Sequence, residues 1–201
     1  MILGSHNSWS FLPPRKWWQK ALAFTARCQR LNIQQQYEAG VRCFDLRLRR
    51  INGDWHVVHN SFDYANFDAP YFDPPFTGPD VWKDLLWLDF KADCLVRVVH
   101  DVRSEKDYKE EDVREFRSVC HAIQRDFKHI KFWCGRNLYN WKVDYSFDFQ
   151  PRCTEMYASV CSPRIIDDWL PLMYAKRNNA WIRREEYKPD EILLIDFVDI
   201  K

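Results

Sequence analysis

The sequence predicts an α/β protein, a compact (β/α)8 TIM barrel in incomplete or distorted form. Three observations carry this expectation. Short apolar strands alternate with helical stretches, polar residues gather just past the strand ends, and 201 residues is short for eight full repeats. No repeat or low-complexity linker divides the chain, so residues 1–201 are expected to form a single domain.

Ile2-Leu3-Gly4-Ser5-His6 reads as a short strand running into a loop. Pro13-Pro14 precede a helical stretch expected over 15–38, with an irregular apolar stripe from Trp17 to Ile33 and Gly40 as its stop. Val41 to Leu48 alternates as a strand, the Asn52-Gly53 pair marks a turn, and Trp55 to His59 is the next strand. Residues 62–80, rich in Pro, Asp and aromatics, read as an ordered loop. Leu85 to Phe90 reads as a buried strand ending near Lys91, and a helix follows over 109–128. Ile130–Trp133, Met156–Val160 and Ile192–Val198 are further strands, with helix around 165–177. Strands separated by helices point to a parallel arrangement.

Hydrophobic residues make up 46% of the chain and charged residues 29%, the balance of a globular protein rather than a disordered one. The formal net charge of +1 supplies no field to draw in nucleic acid, and none is expected as a partner. No apolar run approaches the roughly 20 residues of a membrane-spanning helix. The chain opens directly with Met1-Ile2-Leu3, so a cytoplasmic location is expected, or a secreted one if a leader has been removed. Seven cysteines, an odd number without a C-x-x-C pair, suit thiols in a reducing compartment better than a zinc site or a disulfide framework. Most aromatic side chains, ten tryptophans among them, are expected in the core, with a minority lining a ligand site or touching a bilayer. A monomer is expected.

Four polar clusters stand at strand ends: His6-Asn7-Ser8, Asp45-x-Arg47, His59-Asn60 and Asp196. In a β/α barrel, catalytic residues converge at the C-terminal strand ends. Asp45 and Arg47, two apart on one strand, face the same side. Burying such a pair in a barrel is costly unless it serves something, although spacing alone equally allows a pair at an exposed edge. His56, His100, His121 and His129 read as ordinary packed or surface residues.

Gly4-Ser5-His6-Asn7-Ser8 resembles the G-T-H-D/N-S opening of the phosphatidylinositol-specific phospholipase C family. Cys28-Gln29 and the run Gln34 to Arg47 resemble that family's "Q-L-x-x-G-V-R-x-F-D-L-R" segment. Trp55 to His59 resembles its next strand, Leu86 to Lys91 the strand after that, and Leu194 to Val198 its closing "x-x-D-F-V" strand. The match is dense over the first 60 residues and loose over 61–190.

The resemblance implies a distorted TIM barrel that cleaves a phosphatidylinositol-like phospholipid by ribonuclease-like chemistry. His6 takes a proton from the substrate's own hydroxyl, which attacks phosphorus. His59 protonates the leaving oxygen, and the roles reverse when water opens the cyclic phosphate. Imidazoles suit both transfers because they exchange protons near neutral pH. Asp196 orients His6, Asp45 orients His59, and Arg47 clamps the phosphoryl oxygens. Lys91 and Arg136 are implied substrate contacts, with an exposed loop charge as the other reading of Arg136.

No cofactor is expected. In calcium-dependent relatives, acidic residues stand at the positions matched here by Arg47 and Lys91, and a cation does not sit between two cationic side chains. The resemblance is therefore to the bacterial, metal-independent branch. Two departures touch the substrate: Asn7 stands where bacterial members carry Asp, and Asn60 where Gly is usual. Trp17-Trp18, flanked by Arg15, Lys16 and Lys20, would suit peripheral membrane contact, or else packs under the barrel rim. A glycerophosphodiester phosphodiesterase is an alternative on the Phe44 to His59 pattern, and a non-catalytic barrel binding lipid headgroups or a protein is another.

Overall fold

The computed structural model describes residues 1–67, 81–102, 109–136 (backbone only at 135 and 136) and 151–201, which carry eight strands and seven α-helices. They form two compact units, residues 1–45 with 151–201 and residues 46–150.

In the first unit, β1 (Ile2–Ser5) lies between β8 (Ile192–Ile195) and the start of β2 (Cys43–Ile51), parallel to both. The short β7 (Cys153–Glu155) flanks β8, also in parallel. Gly4 is required at the centre. A Cβ there would stand 2.5 Å from Leu194 Cδ2, 3.2 Å from Cys43 Cβ and 3.3 Å from Ile192 Cγ2. The helix expected over 15–38 is broken into α1 (Trp17–Ala21), a 3-10 turn at Ala23–Thr25, and α2 (Ile33–Glu38). Side-chain capture of the backbone explains the break. Ser10 Oγ accepts the N–H groups of Cys28 at 3.0 Å and Gln29 at 2.9 Å, and Asn32 starts α2 with a capping box to Gln35.

Three corrections fall toward the C-terminus of this unit. The strand expected over 156–160 is instead β7 three residues earlier, followed by the turn of α5 (Ala158–Cys161). The helical stretch at 165–177 is two helices, α6 (Ile165–Trp169) and α7 (Pro171–Ile182), parted where Pro171 starts a new helix. The last strand stops at Ile195, because Phe197 turns with φ 46°.

In the second unit, β2 continues into an antiparallel hairpin with β3 (Asp54–His59) through Asn52 and Gly53, at φ 55° and 101°. The β4 strand (Phe62–Asn66) adds a second antiparallel neighbour. The sheet is therefore mixed, not parallel throughout. Of the loop expected over 62–80, the first residues are β4, and 68–80 lie outside the described residues. The β5 strand (Leu95–His100) pairs with β2 and, in parallel, with β6 (Lys131–Arg136). Among the described residues β6 pairs only with β5, and β7 only with β8, so no pairing closes a ring.

Leu85–Phe90 is not a strand. It belongs to α3 (Val81–Lys91), which buries Val81, Leu85 and Leu88 at helical spacing. The helix expected over 109–128 is α4 (Glu110–Asp126), burying Val113, Phe116, Cys120 and Ile123. Trp9, Trp55 and Trp133 are core as expected, but Trp17, Trp18, Trp169 and Trp181 are exposed.

Candidate active site

Polar residues of the first unit converge where β1 and β8 end. His6 follows β1, and its backbone N–H donates to Ile195 O at 2.9 Å, continuing the ladder one residue past the strand. Its imidazole is buried, and Nδ1 donates to Asp196 Oδ1 at 2.6 Å. This is the short, charge-assisted geometry of an oriented base, and it leaves Nε2 as the atom available for proton transfer. The buried amide of Gln29 bridges the two strand ends. Its Nε2 donates to His6 O at 3.1 Å and Ile195 O at 2.9 Å, and its Oε1 accepts Val198 N–H at 3.1 Å. From α7, Asn179 donates to Asp196 O at 2.8 Å and Phe197 O at 3.1 Å. The dyad therefore stands on fixed backbone.

Asn7 adopts φ 46°, ψ 60°, the left-handed region where Asn and Asp are the best tolerated residues after Gly. That constraint admits either acid or amide at this position. Asp45 Oδ2 accepts the Asn7 N–H at 2.9 Å and so holds the turn. The Asn7 side chain is fully buried, yet neither its Oδ1 nor its Nδ2 has a hydrogen-bond partner among the described residues. Buried amides are rarely left so, and one beside a catalytic-type dyad suits a ligand. Tyr157 lies flat on the His6 ring, with centroids 3.6 Å apart and planes within 3°.

In the second unit, Arg47 is buried on β2 and its Nη1 lies 3.9 Å from Asp101 Oδ2. Arg49, on the same strand face, binds the other oxygen of Asp101, and its Nε donates to Asp101 O at 2.7 Å. The Asp101 carboxylate thus holds the Arg49 guanidinium through one oxygen, while Arg47 lies at ion-pair distance from the other. Arg49 Nη1 also donates to Asn60 O at 2.6 Å, tying down the residue after His59. His59 is buried at the end of β3. Asn60, where the resemblance led to an expectation of Gly, has φ 52°, a left-handed conformation that Asn tolerates best after Gly, and it is exposed.

Arg97 is 6% exposed in the middle of β5. His100 stacks on Phe116 of α4, so alternation puts Val96, Val98 and His100 on the helix side and Arg97 on the opposite face. Burial between Trp55 and Phe116 lowers the His100 pKa to about 4.

Two of the expected substrate contacts change. Lys91 is exposed at the end of α3, its Nζ 4.6 Å above the Trp87 ring, and is not at a strand end. The apolar run before it has helical rather than alternating spacing, which moves Lys91 off the sheet. Arg136 does end β6, but its side chain lies outside the described residues. Gln29 stood within the matched segments without a role. Arg97, Asp101 and Tyr157 were missed. The run Leu95-Val-Arg-Val-Val-His followed by Asp101 carried a β-branched strand signal that could have found the first two.

This strand order, with His6 and Asp196 at adjacent strand ends, defines an α/β fold of the phosphatidylinositol-specific phospholipase C type, in which no pairing closes a ring among the described residues. In particular, the chain is similar to the phosphatidylinositol-specific phospholipase C of Listeria monocytogenes, with TM-score 0.60 and 15% identity over 98% of this chain and 87% of that one. It is also similar to the Staphylococcus aureus phosphatidylinositol-specific phospholipase C, described in work on modulation of its membrane binding, with TM-score 0.53 and 14% identity over 98% and 85% of the two chains. An F249X mutant of the S. aureus enzyme aligns with the same TM-score, identity and coverage. No family model matches the sequence, and no curated protein matches it significantly.

Proposed function

We propose that this chain is a phosphodiesterase that cleaves a phosphatidylinositol-like phospholipid by paired imidazole acid–base chemistry. The observation that carries the reading is the buried His6–Asp196 hydrogen bond at 2.6 Å on a backbone fixed by Gln29 and Asn179. His6 acts as the base toward the substrate hydroxyl and Asp196 holds it in the correct tautomer. His59 acts as the acid toward the leaving oxygen, oriented by Asp45. Arg47 neutralises charge on the phosphoryl oxygens as it grows, and Arg97 is a second cation for the same task. Asn7 and Asn60 contact the substrate, the first through its buried amide.

The reaction is proposed to need no metal. With Lys91 on a helix, this rests chiefly on Arg47, a permanent cation where an ion would otherwise be held. Asp45 and Asp196 support the same reading, because each already accepts a hydrogen bond from the fold.

The substrate is proposed to be met at a bilayer surface. Trp17 is 82% exposed, so it does not pack under a rim. Trp18, Leu22 and Phe24 are exposed beside it, and Ile165, Ile166, Trp169 and Met173 are exposed on α6 and α7, which adjoin the same 3-10 turn. An apolar face of this extent, edged by Arg15, Lys16 and Lys20, suits lipid.

The test is cleavage of phosphatidylinositol micelles in excess EDTA by the wild type, His6→Ala and His59→Ala. Activity that survives EDTA and is lost in both variants is expected. Activity restored only by a divalent cation would move the protein toward the glycerophosphodiesterase alternative. Folded but inactive wild type would favour the headgroup-binding barrel.

A further inference from the structure

We propose that Tyr157, held by Glu155, is a positioning residue for His6; the inference rests on the phosphodiesterase reading above. The two rings are almost eclipsed, with centroids 3.6 Å apart and planes within 3°. Neutral aromatic pairs avoid that arrangement, because their negative faces repel and favour offset or edge contacts at larger separation. A cation over a tyrosine face is attracted instead. The contact therefore becomes more favourable once His6 has taken the substrate's proton, at the moment the reaction needs it.

The tyrosine cannot swing easily. Its Oη donates to Glu155 Oε2 at 2.6 Å, and its carbonyl accepts the Val160 and Cys161 N–H groups at 3.1 and 3.0 Å at the start of α5. Between them, Met156 N–H donates to Leu194 O at 2.9 Å, so the segment is anchored to β8, the strand that leads to Asp196. Tyr157 is 5% exposed. His6 is thus held along one edge by Asp196 and across one face by Tyr157, and these two constraints fix the direction of Nε2.

The test uses the full chain, isotope-labelled, in its wild-type form and as Tyr157→Phe and Tyr157→Leu. Imidazole ring signals are recorded by NMR, with those of His6 identified by their absence in His6→Ala, and kcat and KM are measured on phosphatidylinositol micelles. The wild-type His6 ring protons are expected upfield of ordinary values through the tyrosine ring current. Tyr157→Phe keeps the ring but loses the hydrogen bond to Glu155, and should retain most of the shift with turnover between wild type and Tyr157→Leu. Tyr157→Leu should abolish the shift and lower kcat roughly tenfold at unchanged KM. Identical His6 signals in wild type and Tyr157→Leu would overturn the proposal. So would a raised KM with kcat unchanged, which would make Tyr157 a substrate contact. An inactive wild type with the shift intact would overturn the phosphodiesterase reading, and with it the catalytic role of Tyr157, while leaving the stacked pair itself.

Discussion

Asp196 fixes which nitrogen of His6 faces the reaction, and an amide in its place can offer an N–H to that nitrogen and invert the tautomer. Asp196→Asn is therefore expected to lower kcat by about 10²- to 10⁴-fold with little change in KM or melting temperature, as measured by steady-state kinetics. Arg47→Lys keeps the charge but loses the planar, bidentate guanidinium proposed to clamp the phosphoryl oxygens, and kcat is expected to fall about 10²-fold in the same assay. Unchanged turnover in either variant would remove that residue from the proposed chemistry. At this scale the sequence was informative where a residue belongs to a motif, even when its partner lies far along the chain, as Asp196 does from His6. His6, Asn7, Asp45, Arg47 and His59 stand out by motif, and the left-handed backbone at Asn7 and Asn60 accounts for the residue types found there. Tyr157 was not legible, because its partner His6 lies 151 positions away and no local pattern marks a stacking contact. Gln29 and Asn179 were equally hidden, since their hydrogen bonds go to the backbone of distant residues.

The strand that carries His6 is hemmed in by its neighbours on both sides. Gly4→Ala forces a methyl against Cys43 Cβ and the side chains of Leu194 and Ile192, between two paired strands that cannot both yield. The substitution is expected to cost about 1–3 kcal/mol, seen as a fall of several degrees in melting temperature. A melting curve unchanged from wild type would contradict the packing described for β1. Elements with one clear period, such as α4, were readable from sequence. The segment Val81–Lys91 was not: Leu85 to Leu88 is an unbroken apolar run that reads equally as a buried strand, and tertiary burial of Val81, Leu85 and Leu88 selects the helix. The break in the stretch 15–38 arises from Ser10, whose hydroxyl captures two backbone N–H groups 18 and 19 residues away. No helical propensity scale contains that information.

For the molecule as a whole, buried His100 links stability to pH. Its folded pKa is about 4 against 6.5 for an ordinary histidine, so the unfolded chain binds the extra proton between those values. Its contribution is complete above pH 6.5 and is lost as pH falls to about 4, a change on the order of 3 kcal/mol. Denaturant melts of His100→Phe across that range should show a shallower acid loss than wild type; equal slopes would refute the assignment. The apolar face is tested by sedimentation with phosphatidylglycerol vesicles. Replacing Trp17 and Trp169 together by Ala should weaken binding about tenfold or more. An unchanged affinity would place lipid contact elsewhere. The likeness to the phospholipase C fold was foreseen from the first 60 residues and the closing strand. The antiparallel β2–β3–β4 portion departs from the parallel rule, although the Asn52-Gly53 turn announced its first hairpin. The most direct test of the central claim is phosphorus NMR of phosphatidylinositol turnover in excess EDTA. Paired imidazole chemistry with an internal hydroxyl nucleophile predicts that a cyclic inositol phosphate appears first, is opened later, and is absent with His6→Ala. Direct release of an acyclic phosphate monoester, or a cyclic product undiminished in His6→Ala, would contradict it.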